Sequence, residues 1–142
     1  MPYPIEPVTL ELESTVRYKT WLHTTRDAHL IGVIAFSAPL YQHEAKWDDL
    51  EYMRRRTDEF SIIGFPDFLS AMLIDLSQLS FVVDAEAPIF PWRMLEENCP
   101  IRVLVRPEHR AHYSSVFEPA WLAWDLESTI RDLRNLLDMR MH

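Results

Sequence analysis

The sequence predicts one α/β domain with a mixed, mostly parallel sheet, an N-terminal antiparallel hairpin and helices as crossovers. Short apolar runs of strand length alternate along the chain with segments whose apolar residues recur every three or four positions. The chain has 142 residues, 48% of them hydrophobic, which is enough for one core, and no repeat or linker divides it. We therefore expect an extended tail over residues 1–7 and a single domain over residues 8–142.

The N-terminal region predicts the hairpin and then a buried strand. Residues 8–13 and 16–22 each alternate apolar and polar side chains, which is typical of half-buried antiparallel strands. Trp21 has the opposite phase to the apolar positions of the second strand, so we expect its ring to project outward. Residues 30–36 are apolar on both faces and predict a central strand.

A long amphipathic helix of about five turns is predicted between His43 and Ile63. Its apolar stripe comprises Trp47, Leu50, Met53, Thr57 and Phe60. The acidic residues of the first turns, Asp49 among them, and three later arginines are assigned to the solvated face. Glu51 and Arg55 have the favourable i,i+4 orientation for an ion pair.

The second half of the chain alternates strands and helices. The predicted strands cover residues 71–76, 101–105 and 120–124. The predicted helices cover residues 87–98, 108–117 and 126–139, and Asp125 or Ser128 caps the last one. This order is typical of a parallel sheet with right-handed crossovers.

Composition excludes several function classes. The net charge of −8 repels phosphate backbones, so we expect no nucleic-acid partner. Only two glycines are present, so the Gly-rich phosphate loops are absent, and the single cysteine, Cys99, leaves no intrachain disulfide. Without a signal-like N-terminus or a long apolar run, we expect a cytoplasmic protein with no membrane partner.

A resemblance to a known family comes from the segment Met72-Leu73-Ile74-Asp75-Leu76-Ser77-Gln78-Leu79-Ser80-Phe81-Val82-Val83-Asp84. This segment resembles the central strand and loop of the STAS domain of anti-sigma-factor antagonists. The features in common are an apolar run, the Asp-Leu-Ser that ends it, a later Phe and the loop Asp. The later elements are similar in order to that family's closing strands and C-terminal helix, so the resemblance covers roughly residues 30–137. It implies a STAS-like topology and regulation by protein contact, with no catalytic residue to carry over.

The chain departs from the family at the position that matters for partner switching. In the family the loop Asp is followed by a phosphorylated Ser, whereas here Asp84 is followed by Ala85, and Phe81 and Asp84 are one residue further apart. Alanine has no hydroxyl group to phosphorylate. The resemblance therefore implies that the switch is lost or has moved, for instance to Ser77 or Ser80.

The candidate site residues are assigned to protein binding. Loops at the carboxyl ends of parallel strands share one edge of a sheet, and in this chain they carry acids and histidines. The candidate partner-binding residues are Trp21, Ser77, Ser80, Asp84, Glu86 and His109. We predict no catalytic residue, no metal ligand and no cofactor.

Three functions remain open from the sequence. The leading hypothesis is a non-enzymatic, STAS-like regulatory domain that binds another protein, and an exposed hairpin edge leaves a homodimer open. The first alternative is an acidic immunity or inhibitor protein that neutralises a basic toxin or nuclease. The second is a metal-dependent or acid–base enzyme that uses His109, His112, Asp84 and Glu86.

Overall fold

The computed structural model describes residues 13–25, 29–63, 68–83 and 90–140. In these residues five strands form one sheet in the order β1-β2-β3-β4-β5. The strands are β1 (Arg17–Thr24), β2 (Leu30–Ser37), β3 (Ala71–Gln78), β4 (Ile101–Leu104) and β5 (Leu122–Ala123). β1 is antiparallel to β2, and all later neighbours pair in parallel. The predicted mixed, mostly parallel sheet is confirmed.

Four helices connect or follow these strands in the described ranges. They are α1 (Trp47–Ser61), α2 (Trp92–Glu96), α3 (Arg110–Val116) and α4 (Leu126–Arg140). Short 3-10 turns, Pro107–His109 and Pro119–Trp121, precede α3 and β5. Asp125 caps α4, since its Oδ2 accepts a 2.9 Å hydrogen bond from the Ser128 backbone N–H. The predicted tail and most of the first hairpin strand, residues 1–12, lie outside the described residues.

Each parallel crossover advances by one strand, so the right-handed rule places the connecting helices on one face of the sheet. One core cluster accordingly combines side chains of α1, α2 and α3 with Ile34, Ile74 and Val103. A second cluster combines Leu133 and Leu137 of α4 with side chains of the opposite sheet face. β2 and β3 are therefore buried on both faces, which explains their continuous apolar sequences.

β1 is not the half-buried strand that its alternation predicts. Val16, just before β1, is fully buried, but Tyr18 and Leu22 are 41% and 48% exposed. The cause is position, because β1 lies at the edge of the described sheet and α1 packs on its neighbour β2. Trp21 is 47% exposed on the other face, as predicted.

Two residues of α1 also differ from prediction. Trp47 was assigned to the apolar stripe but is the first residue of α1 and is 71% exposed. Asp49 was assigned to the solvated face but is only 1% exposed. Its carboxylate accepts hydrogen bonds from the side chains of Ser14 and Gln42 and from the Lys46 backbone N–H, at 2.6–2.9 Å. These donors turn Asp49 inward and offset the cost of burying its charge.

The charged side of α1 otherwise matches the prediction. Arg54 and Arg55 both pair with Glu51, and Arg56 pairs with Glu59. Because these are partly exposed pairs within one helix, each stabilises it by only about 0.3–0.5 kcal/mol. No helix in the described part of the chain is long and apolar enough to cross a membrane.

Candidate functional site

The carboxyl ends of the four parallel strands lie along one edge of the sheet, and the predicted site residues Ser77, Ser80 and His109 lie at or after these ends. A cleft of about 330 Å³ opens there between the loop before α1, the segment after β3, and α3. It is lined by His43, Glu44, Ala45, Leu50, Phe81, Val82 and His112. We call it the carboxyl-edge cleft.

Ser77, at the end of β3, takes part in a local hydrogen-bond network. Asp75 Oδ1 accepts hydrogen bonds from the Ser77 backbone N–H at 2.8 Å and from Ser77 Oγ at 2.5 Å. Arg106 Nε donates to the Ser77 carbonyl at 2.6 Å. The buried Asp75 is thus bonded to nearby backbone, as its position in an apolar strand requires. A phosphate on Ser77 would stand beside this carboxylate, which like-charge repulsion disfavours.

The buried side chain of Tyr113 fixes the segment that follows β3. Ser80 is half-buried in a bend, and three residues later the Val83 backbone N–H donates to Tyr113 Oη at 2.8 Å. Burial raises the pKa of Tyr113 to about 12. Tyr113 is fully buried and stacks on Phe117 with ring centroids 5.4 Å apart. This contact ties α3 to one wall of the carboxyl-edge cleft.

Two histidines flank Tyr113, and neither forms a described metal site. His109 is half-buried, and burial, followed by the nearby Arg106 charge, lowers its pKa. His112 is exposed and lines the cleft. Asp84 and Glu86, the carboxylates predicted to join them, lie outside the described residues. Across residues 13–25, 29–63, 68–83 and 90–140, no group of three or more His, Cys, Asp or Glu side chains could hold a metal ion.

Trp21 is separate from this edge. It pairs with Val33, four residues before the carboxyl end of β2 at Ser37, which corresponds to about 13 Å along the strand. Trp21 therefore cannot contribute to one compact site with Ser77 and His109. It belongs to a different surface, formed by six consecutive exposed residues of β1: Arg17, Tyr18, Lys19, Thr20, Trp21 and Leu22. We call it the β1 surface.

Sequence reasoning missed half of the β1 surface, Tyr18, Thr20 and Leu22, because it assigned alternate residues of this strand to the core. Beside it, the Arg56 guanidinium lies 5.3 Å from the Tyr52 ring centroid and 6.0 Å from that of Tyr18. A cavity of about 130 Å³ opens here, lined by Tyr18, Thr20, Arg56, Glu59, Phe60 and Ile63. The sequence feature that indicates this surface is charge. β1 contains Arg17 and Lys19 and no acidic residue, although the chain has a net charge of −8.

A histidine–serine pair at the opposite edge of the sheet was also missed. His29 Nδ1 lies 3.2 Å from Ser70 Oγ, at the amino ends of β2 and β3. His29 Nε2 is buried, and no hydrogen-bond partner for it is found among the described residues. A serine nucleophile needs its histidine oriented by a third group, so this pair does not form a described catalytic triad.

Comparison with known protein families, with curated proteins and with solved structures finds no match to this chain. Function is therefore inferred from its own residues.

Proposed function

We propose that this chain is a STAS-like regulatory domain that acts by binding another protein and catalyses no reaction of its own. The observation that carries the proposal is the β1 surface, where Tyr18, Trp21 and Leu22 are all more than two-fifths exposed. Tryptophan and tyrosine are the side chains most often responsible for binding energy at protein interfaces. Tyr18 and Leu22 lie on one face of this edge strand and Trp21 on the other, so a partner that covers the strand would contact all three.

The carboxyl-edge residues also support binding over catalysis. Ser77 donates its hydroxyl hydrogen to Asp75, Arg106 bonds the Ser77 carbonyl, and Tyr113 accepts from Val83. Each of these polar groups holds a neighbouring segment in place. Such bonds fix the backbone at this edge of the sheet, which suits recognition of a protein surface.

The experiment is affinity capture of a partner by the tagged full chain from an extract of its source cells, at low and at high salt. Trp21→Ala is compared with Trp47→Ala, which removes another exposed tryptophan from the start of α1. We expect one stoichiometric partner, with its affinity for the purified chain reduced about tenfold or more by Trp21→Ala and little changed by Trp47→Ala.

The other outcomes are equally informative. Loss of the partner with Trp47→Ala alone would place binding elsewhere on the molecule, and no stoichiometric partner at either salt would overturn the proposal. A basic toxin or nuclease whose association rate falls steeply with salt would instead identify an acidic inhibitor.

A further inference from the structure

The outer side of β1 has the geometry of an acceptor for another strand. β1 pairs with β2 over all eight of its residues with no register shift, so it is a regular strand about 27 Å long. In an antiparallel pair, alternate residues direct their backbone N–H and C=O groups away from the neighbour. Within the described ranges no strand pairs with that outer side. Among the described residues this edge therefore offers a row of backbone donors and acceptors, while residues 8–12, most of the strand that the sequence predicts beside β1, lie outside the described residues.

The charges of β1 favour one kind of strand over others. Arg17 and Lys19 are exposed, and no carboxylate among the described residues pairs with either. Within the described ranges, the Arg17 guanidinium donates to the carbonyls of Ser14 and Val16. A lysine on an edge strand usually discourages pairing, and here the two cations disfavour a second copy of the same strand. They attract a strand that carries carboxylates.

The two faces of β1 differ, and this difference favours a partner strand in which two kinds of side chain alternate. Tyr18, Thr20 and Leu22 share the face of α1, because they lie opposite Phe36, Ile34 and Gly32. On that face, the 130 Å³ cavity beside Thr20, bounded by Phe60 and Ile63, has room for an aliphatic side chain. Arg17, Lys19 and Trp21 lie on the other face. An added strand would thus place apolar side chains on the α1 face and carboxylates on the cationic face.

We propose that the outer edge of β1 binds an extended segment of the partner protein, in which acidic and aliphatic residues alternate, by addition as a sixth strand. This inference rests on the proposed function and specifies the partner's chemistry. The backbone hydrogen bonds supply affinity. The 130 Å³ cavity beside Thr20 and the charges of Arg17 and Lys19 supply selectivity.

The test uses the full chain and a fluorescent peptide of four Glu-Val repeats, with a Lys-Val peptide of equal length as the charge control. A Glu-Val peptide that is N-methylated at alternate residues controls for strand pairing, since it cannot donate those hydrogen bonds. We expect the Glu-Val peptide alone to bind and to protect the outer amides of β1 from hydrogen exchange.

Lys19→Glu provides the matched variant, with Arg134→Glu on the exposed side of α4 as its control. We expect Lys19→Glu to weaken binding of the Glu-Val peptide about tenfold or more and Arg134→Glu to leave it within about twofold. Equal binding of the Glu-Val peptide to both variants would overturn the inference. So would undiminished binding of the N-methylated peptide, protection at another surface, or no binding.

One further result concerns the free protein. If the outer amides of β1 are already protected before any peptide is added, the edge is occupied by this chain or by a second copy, and the inference fails. The proposed function would survive any of these failures if the captured partner still binds and is not displaced by the Glu-Val peptide. It would fail separately if no partner is captured.

Discussion

At the scale of single residues, buried polar groups connect segments that are far apart in the chain. Asp49 joins the lead-in to β1, the loop before α1 and the first turn of α1 through its two carboxylate oxygens. Tyr113 joins α3 to the segment after β3 through one hydrogen bond to Val83. Local periodicity does not predict the Asp49–Ser14 or the Tyr113–Val83 contact, because the partners are 35 and 30 residues apart in the chain.

We expect Tyr113→Phe to lower the free energy of unfolding by about 1–3 kcal/mol at pH 7, because the Val83 N–H would lose its acceptor in a buried position. The pKa of Tyr113 is raised to about 12 in the folded chain. The neutral phenol therefore stabilises the fold fully below its unfolded pKa of about 10, and this contribution is lost as pH rises toward 12.

The difference between wild type and Tyr113→Phe should accordingly shrink as pH rises from 10 to 12, as measured by urea unfolding at each pH. Tyr41→Phe is the control, because Tyr41 is largely exposed. A difference that stays constant over this pH range would show that Tyr113 ionises equally easily in both states.

At the scale of elements, the close approach of α1 to the sheet depends on Gly32, which has no side chain. A Cβ added at Gly32 of β2 would lie 2.5 Å from Leu69 Cδ1 and 2.8 Å from Phe60 Cε2. Leu69 and Phe60 are both buried, so they have little room to move. Glycine at this position lets the C-terminal end of α1 approach β2 closely.

We expect Gly32→Ala to destabilise the fold by about 1–3 kcal/mol through overpacking, as measured by thermal or urea unfolding. Thr24→Ala, at an exposed position of β1, serves as the strand control and should change the unfolding free energy by about 0.5 kcal/mol or less. If the two variants prove equally stable, the contact of α1 with β2 tolerates a methyl group.

At the scale of the whole molecule, two cores share one sheet. Ile34 faces the cluster beneath α1, α2 and α3, and Ile31, three residues earlier on β2, faces the cluster beneath α4. Because β2 and β3 contribute to both clusters, loss of either core removes support from the strands of the other. The two cores should therefore unfold together.

Ile34→Val and Ile31→Val test this, since each removes one buried methylene from one face and costs about 0.5–1.5 kcal/mol. We expect each to move a single transition, with tryptophan fluorescence and far-UV circular dichroism giving the same midpoint. Two transitions, of which each variant moves only one, would show that the faces unfold independently.

Much of the architecture was predictable because it depends on local patterns. The continuous apolar runs of β2, β3 and β4 and the apolar stripes of α1 and α4 gave the correct element order from residue 30 onward. The exposure of Trp21 also followed from its phase in β1. The candidate site was less predictable, since whether Trp21, Ser77 and His109 come together depends on distances across the sheet.

The sequence by itself determined the α/β class, the order of elements and the acidic balance, because hydrophobic period and charge act over a few residues. Only the tertiary structure decided that both faces of β1 are exposed, that Asp49 is buried, and that Trp21 lies apart from the carboxyl-edge cleft. The first two depend on which other element covers a residue, and the third depends on the register of β1 against β2. A pattern specifies which face of a strand is apolar, whereas burial requires a helix to lie over it.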